Sequence, residues 1–151
     1  MDLRQALPQL IPRAIAWADA RANEAAATGS ALTQSEEAIA RAVGVSKPEL
    51  IRVADVERLP FPEEPDLRAA ALQIGLLGPG MVGLTFGHTV FVCRGHRTRR
   101  LLSHEFRHVY QYEQHGSIAA FLPIYLRQIV DVGYERASLE IDARAHEIRD
   151  T

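Results

Sequence analysis

The residues with the clearest chemistry form an H-E-x-x-H motif, His104-Glu105-Phe106-Arg107-His108. Because a helix has 3.6 residues per turn, the two histidines lie on one face, about one turn apart, where both rings can bind one metal ion. Glu105 lies about 100° further round, where its carboxylate can reach a water molecule on the metal without being a ligand. The motif therefore supplies two ligands and a general base.

Two histidines alone bind a metal weakly, and a catalytic zinc usually has three protein ligands and one position open to water. The extension H-x-x-G-x-x-H is absent, because Gln111, His115 and Gly116 do not fit its register. Cys93 is the single cysteine, which excludes a cysteine-based zinc cluster and an intramolecular disulfide. A glutamate on a later helix is the remaining common solution.

The helix that carries the motif is predicted to begin at Thr98 or a neighbour and to end at His115, before Gly116. Its periodicity predicts one side in the core and the opposite side facing the metal and a cleft. The core side carries Leu102, Phe106, Val109 and Glu113, and the metal side carries Leu101, His104, His108, Gln111 and His115.

Residues 83–93 alternate and are rich in aromatic and β-branched side chains, which predicts a hairpin or a bent strand with Gly87 at the bend. In zinc peptidases the strand before the metal helix commonly lies at the sheet edge and pairs with extended substrate. We therefore expect residues 88–92 to form this edge.

Upstream, residues 50–56 predict a strand, residues 59–65 a proline-rich connector, and Asp66 the cap of a short helix. A glycine-rich turn is expected at residues 78–80. Downstream, residues 117–130 predict a helix that Pro123 either kinks or starts.

The last predicted helix, residues 137–149, brings a carboxylate back toward the metal.

The N-terminal part predicts two helices. Residues 3–27 have helical periodicity, and their regular part is expected to begin near Pro12, since proline is tolerated only in a first turn. Thr33 and Glu36 form a capping box for a second helix that runs to about Val43. The segment from residue 40 to 50 also fits the loose spacing of a helix-turn-helix, although acidic residues follow it where phosphate contacts would need basic ones.

The composition indicates one domain with its own core, since the chain has 151 residues of which 47% are hydrophobic. A net charge of −2 predicts no nucleic-acid or membrane partner. The N-terminal residues lack the order of a secretion signal, so a cytoplasmic protein is expected.

The sequence resembles the glutamate-type zincins, in which H-E-x-x-H is followed one helix later by E-x-x-A, here Glu140-Ile141-Asp142-Ala143. Residues 101–112, with Gly133-Tyr134 and residues 139–144, are more closely similar to a group of small bacterial zincin-like proteins. These resemble the core metallopeptidase domain of contractile injection systems. The resemblance covers roughly residues 85–146, and the first 45 residues add nothing to it.

The resemblance implies Zn²⁺ bound by His104, His108 and Glu140, with Glu105 as general base. Alternative third ligands are Asp142 and Glu135. Many related families have an acidic residue or asparagine four positions after the ligand glutamate, whereas this chain has Arg144. Asp142, Asp131 or a backbone carbonyl is then expected to hold a metal-binding histidine in place.

A group that stabilises the oxyanion is also needed, and the candidates are Tyr134, His115 and His88. Together these features predict an α+β zincin-like fold, mainly helical with a small sheet. The predicted activity is zinc-dependent hydrolysis of a peptide or protein substrate. Two alternatives remain: an interaction module in which the metal has only a structural role, and a helix-turn-helix regulator with a metal-sensing domain.

Overall fold

A computed structural model describes residues 1–78 and 80–150, and over these residues the fold is α+β and mainly helical, as predicted. The turn expected at residues 78–80 includes Pro79, which lies outside the described residues. The elements are α1 (Leu3–Thr28), α2 (Gln34–Ala42), a 3₁₀ turn (Pro48–Leu50), β1 (Arg52–Val56), α3 (Pro65–Ile74), β2 (Gly83–Phe86), β3 (Thr89–Cys93), α4 (Arg99–His115), α5 (Ile118–Val132) and α6 (Ser138–Ala145).

The sheet has the strand order β1-β3-β2, with β1 parallel and β2 antiparallel to β3. The hairpin of β2 and β3 turns through Gly87, whose φ of 64° is in the left-handed region that favours glycine. The expectation that residues 88–92 form the edge is wrong, because β3 is the central strand. Thr89, Val90, Phe91 and Val92 are all buried, as a strand that is covered on both faces requires.

Helices cover both faces of the sheet. On one face, Val90 and Val92 pack with Leu102, Phe106 and Val109 of α4, which confirms the predicted core side of that helix. On the other face, a second cluster joins the sheet to α1 and α5. Its buried members are Ala18, Ala22, Ala25, Ala54, Phe86, Phe91 and Leu122.

Helix α1 begins at Leu3, so the expectation that it starts near Pro12 is wrong. Asp2 caps it by accepting hydrogen bonds from the backbone N–H groups of Arg4 and Gln5. Pro8 and Pro12 are exposed, so water can reach the carbonyls that lose a helical partner. The apolar side of the helix packs on the rest of the protein and offsets the cost of the two prolines.

Helix α2 begins with the predicted capping box, in which Thr33 and Glu36 accept each other's backbone N–H. The helix-turn-helix interpretation is wrong, because the segment after α2 forms a single 3₁₀ turn and then β1. Glu64, one residue before Pro65, caps α3 in place of Asp66 by accepting the N–H of Leu67.

The C-terminal helices differ from the prediction in their ends. Helix α5 begins before Pro123 and contains it, with Ser117 as its cap. Helix α6 ends at Ala145, short of the expected residue 149, because Ser103 accepts the N–H of Ile148 and draws the chain toward α4. Among the described helices, none is long and apolar enough to cross a membrane.

Candidate metal centre

Helix α4 brings the two histidines of the motif together. Thr98 caps it by accepting the N–H of Leu101, and Gly116 ends it in the left-handed conformation, as predicted. The rings of His104 and His108 are 5.0 Å apart between centroids and both are buried. The four-residue spacing therefore produces the expected pair of rings on one helical face.

Glu140 of α6 completes the predicted group of three. Its Oε1 lies 3.2 Å from His104 Nε2, and its Oε2 lies 3.1 Å from His108 Nε2. Potential ligand atoms of the three residues all lie within 4.8 Å of one another. Glu140 is 1% exposed, so its carboxylate depends on these neighbours rather than on water.

The outer nitrogen of His108 must carry a hydrogen. Gln111 Nε2 donates to Leu139 O and to the Asp142 carboxylate, both at 2.9 Å, which turns Gln111 Oε1 toward His108 Nδ1 at 2.7 Å. Since an amide oxygen only accepts, Nδ1 donates, and the neutral ring has its lone pair on Nε2, directed at Glu140. Asp142 in turn binds Arg107 through two hydrogen bonds.

The outer nitrogen of His104 is held by a residue that the sequence interpretation missed. Glu147 Oε2 lies 2.8 Å from His104 Nδ1, and its other oxygen accepts a hydrogen bond from Arg100. A carboxylate on the outer nitrogen is a typical support for a metal-binding histidine. Glu147 lies seven residues after Glu140, which is about two helical turns, so the predicted helix over residues 137–149 would place both carboxylates on one face. That spacing is the signal for Glu147 in the sequence, although α6 ends before it.

The other residues considered for this supporting role have different contacts. Arg144 donates to the carbonyl of Glu135, and Asp131 forms a surface ion pair with Arg4. Asp142 does not contact a histidine of the centre directly; it accepts a hydrogen bond from Gln111, which in turn contacts His108. Glu135 is exposed, and neither it nor Asp142 belongs to the group of potential ligands that the structure brings together.

The arrangement fits a divalent cation. With Nδ1–H outward on both rings, the two Nε2 lone pairs would face the oxygens of Glu140, acceptor against acceptor, unless a proton or a metal lies between them. Metal bonds of ~2.1 Å in a tetrahedral shell separate neighbouring ligand atoms by roughly 3.4 Å, close to the two contacts with Glu140. Two imidazoles and a carboxylate are also a typical ligand set for catalytic zinc.

The pKa values of His104 and Glu140 in the metal-free protein also indicate that the site favours positive charge between these residues. Burial disfavours the charged ring, but the hydrogen bond to Glu140, the charge of Glu105 and the hydrogen bond to Glu147 raise the pKa of His104 to about 9. Burial also opposes ionisation of Glu140, yet the hydrogen bonds with both histidines hold its pKa well below the usual range. These shifts favour a proton at the place that a metal would take.

Glu105 lies beside this group. Thr85 Oγ1 donates to Glu105 Oε1 at 2.8 Å, and Glu105 is 5% exposed. Gly83 is required opposite the other oxygen, since a Cβ at this position would lie 2.9 Å from Glu105 Oε2 and 2.9 Å from Leu101 Cδ1. Strand β2 thereby orients the carboxylate that the sequence predicts as general base.

Two tyrosines lie near the carboxylates. Tyr125, which the sequence interpretation did not single out, donates its hydroxyl to Glu140 Oε2 at 2.8 Å. Burial, together with the charges of Glu140 and Glu105, raises the pKa of Tyr134 far above its ordinary value, so its phenol keeps its proton. Tyr134 lines the same cavity as Glu105 and Glu140.

The other two oxyanion candidates lie elsewhere. His88 Nε2 pairs with Glu113 at 2.9 Å, on the side of α4 that faces the core. His115 is exposed and pairs with the carbonyl of Gln111. Neither residue lines the cavity, which leaves Tyr134 as the candidate from the sequence that the structure places at the centre.

The centre opens into a cavity of about 140 Å³. Glu105, His108, Tyr134 and Glu140 line one end of it, and side chains of α1, α3, β2 and α5 line the rest. The N-terminal helix, to which the sequence assigned no part in the site, therefore forms one of its walls.

No protein-family model, curated protein or solved structure matches this chain.

Proposed function

We propose that this protein is a zinc-dependent hydrolase of the glutamate-type zincin kind that cleaves peptide bonds. The observation that carries the proposal is the shared cavity: His108 and Glu140 line it together with Glu105, which is not in the ligand group. Two of the three candidate ligands, His108 and Glu140, thus face open space, whereas a structural metal site is closed by four protein ligands.

His104, His108 and Glu140 would hold the ion. A bound Zn²⁺ would polarise the scissile carbonyl and make a water molecule more acidic. The Nδ1 hydrogen bonds to Glu147 and Gln111 keep both rings in the tautomer that offers Nε2. These outer contacts also restrict rotation of the rings, which reduces the entropic cost of ordering them when the metal binds.

Glu105 is the proposed general base. Its carboxylate would accept a proton from the attacking water and then donate the same proton to the leaving amine, so Glu105 ends each cycle ionised as it began. Thr85 holds one of its oxygens, and the missing side chain of Gly83 leaves space for the other. Gly83→Ala should displace the carboxylate and reduce turnover without removing a metal ligand.

Tyr134 is the proposed oxyanion donor. A neutral phenol at the cavity end can donate a hydrogen bond to the oxygen that becomes negative in the transition state. Tyr125 donates to Glu140 at 2.8 Å, and burial together with a hydrogen bond to the same carboxylate raises the pKa of Tyr134. Tyr134 would therefore redirect its hydrogen bond from Glu140 to the oxyanion. Tyr134→Phe should lower kcat by about 100-fold and leave metal content unchanged, as for other lost oxyanion donors.

Strand β2 is the proposed edge for substrate, in place of residues 88–92. Cys93 N donates to Val82 O at 2.9 Å, and hydrogen-bonded pairs alternate along an antiparallel ladder. Leu84 and Phe86 therefore pair with β3, while the backbone N–H and C=O groups of Gly83 and Thr85 point to the opposite edge. An extended peptide can add to that edge beside Glu105.

The test is Glu105→Gln, with Glu113→Gln as the matched control on the same helix. Zinc content is measured after purification without chelator, and cleavage is measured on a peptide library. Glu105→Gln should retain one zinc per chain and lose turnover by about 1,000-fold. Glu113→Gln should keep both properties, because its carboxylate contacts Ser46, Lys47 and His88 rather than the centre.

Two results would contradict the proposal. Full turnover in Glu105→Gln would show that the assigned base is wrong. A wild-type protein that binds zinc stoichiometrically and cleaves no peptide would instead favour the interaction module, in which the metal joins α4 to α6.

A further inference from the structure

We propose that the substrate carries one large apolar side chain, of the size of leucine or phenylalanine, next to the bond that is cleaved. Helices α1 and α3 form the pocket that selects it. The inference rests on the proposed function, because only an enzyme has a substrate. The pocket and its preference for an apolar ligand are properties of the metal-free protein.

The lining of the cavity determines what can enter. Most of its lining consists of apolar side chains from several elements, among them Leu10, Ala14, Leu67, Ala71, Leu84 and Leu126. Apart from Glu105, His108 and Glu140, no aspartate, glutamate, lysine, arginine or histidine of the described residues lines it. A charged side chain in the apolar part of the cavity would therefore lose its hydration without gaining a partner of opposite sign.

The ionisable groups lie at one end. Glu105, His108 and Glu140 are the acidic and basic residues that line the cavity, and they belong to the candidate metal centre. A ligand must therefore be polar where it meets these groups and apolar a few bonds away. A peptide residue has this form, since its carbonyl lies next to its own side chain.

The volume limits the ligand to one such group. The cavity holds about 140 Å³. An apolar protein cavity of about 150 Å³ binds benzene, so a phenyl or isobutyl group fits and a second large group does not. Burial of such a group predicts binding at least tenfold tighter than that of a glycine-containing ligand.

The N-terminal helix gives the pocket its selectivity. Ala14 lines the cavity, and Trp17, one turn further along α1, lines it as well and packs edge-on against Phe86. A larger side chain at Ala14 would occupy the space of the ligand. Ala16 lies on the same helix but is exposed, so the same substitution there leaves the cavity unchanged.

The experiment uses Trp17, the single tryptophan, as the reporter. Metal-free protein is titrated with three capped tripeptides that have leucine, glycine or lysine between two alanines, and tryptophan fluorescence is recorded. The leucine peptide should give a saturable change at a concentration at least tenfold lower than the other two. Ala14→Phe should remove this preference and Ala16→Phe should keep it.

Folding of each variant is checked by circular dichroism, and Ala71→Phe, which fills the cavity from α3, replaces Ala14→Phe if the latter does not fold. Equal binding of the three peptides, or unchanged leucine binding in the folded filling variant, would overturn the inference. Cleavage is measured separately on zinc-loaded protein. Selective binding without cleavage would contradict the proposed function and leave the pocket assignment standing.

Discussion

Two clusters of histidine and glutamate lie along α4 and use the same side-chain types differently. The first, here called the metal-centre cluster, consists of His104, His108 and Glu140. The second, the anchor cluster, consists of Glu113, His88 and Ser46, with the backbone of Lys47. Both contain a carboxylate with little exposed surface, 2% of the side chain for Glu140 and 8% for Glu113.

The two carboxylates differ in what donates to them. Glu113 accepts hydrogen bonds from the backbone N–H groups of Ser46 and Lys47 and from the Ser46 hydroxyl, so fixed donors satisfy it. Glu140 receives the hydroxyls of Tyr125 and Tyr134, and its two oxygens each face one ring nitrogen. A carboxylate with backbone donors fastens a loop to a helix, whereas one that faces two imidazole nitrogens needs a cation.

The largest expected difference is in metal affinity. Glu140→Gln should weaken Zn²⁺ binding by about 100- to 1,000-fold, since one ligand contributes roughly a quarter of a total of about 10–16 kcal/mol. Glu113→Gln should bind Zn²⁺ as the wild type does. Competition with a chromophoric chelator measures both constants. Equal affinities in the two variants would remove Glu140 from the ligand set.

A smaller effect is expected for the residues behind the ligands. Glu147→Ala should weaken Zn²⁺ binding by about 10- to 100-fold, because His104 loses the acceptor that fixes its tautomer. Glu135→Ala is the matched control: its side chain is exposed, and it is the alternative ligand suggested by the sequence. A loss in Glu135→Ala that exceeds the loss in Glu147→Ala would reverse this assignment.

The anchor cluster should matter for stability instead. Glu113→Gln should lower the free energy of unfolding by about 2 kcal/mol, since a charged acceptor of several hydrogen bonds is replaced by a neutral one. Urea denaturation in the presence of chelator measures the change without a contribution from metal. An unchanged midpoint would show that the loop at Ser46 does not depend on this carboxylate.

The two clusters should also respond to pH on opposite sides of neutrality. The pKa of His104 in the metal-free protein is raised from 6.5 to about 9, so the stability it contributes is complete below pH 6.5 and is lost as pH rises through 9. The midpoint temperature of thermal unfolding, measured with chelator present, should therefore fall by several degrees between pH 6.5 and 9.5. With Zn²⁺ bound the drop should disappear, because the metal replaces the proton.

The contribution of Glu113 to stability should be lost at acid pH rather than at alkaline pH. Burial raises its pKa, but the hydrogen bonds from Ser46, His88 and Lys47 outweigh this and lower it, so its contribution is present above about pH 4.5 and is lost as pH falls. Glu113→Gln should flatten the acid limb of the stability profile and leave the alkaline limb unchanged. A mutant profile parallel to that of the wild type would contradict this assignment.

Local patterns predicted most of the helices and strands. The four-residue spacing of His104 and His108, the capping box at Thr33 and the turn at Gly87 each depend on neighbours within one turn, and the structure contains all three. The predictions were wrong where contacts between residues far apart in the sequence determine the local structure. Helix α1 tolerates Pro8 and Pro12 because it packs on elements far along the chain.

The position of a strand in a sheet is a second property that local patterns leave open. The composition of residues 88–92 suits an edge or a centre equally until β1 is known to pair with β3. Because β1 takes the far side of β3, β2 becomes the strand whose outer edge lies near Glu105. The proposed substrate edge therefore moves from one strand of the hairpin to the other.

The motif by itself determined that two imidazoles share one face of a helix with a carboxylate beside them, since helical geometry requires it. The resemblance named Glu140 as the third ligand and left Asp142 and Glu135 as alternatives, and the tertiary structure brings Glu140 to the rings. Only the tertiary structure decided which residues hold the outer nitrogens of the rings and which helix closes the cavity. Glu140 and Glu147 reach the rings from 36 and 43 residues away along the chain, and Ala14 reaches the cavity from the first helix. Such contacts depend on how whole elements pack, and packing is a sum over the entire core rather than a property of any short stretch.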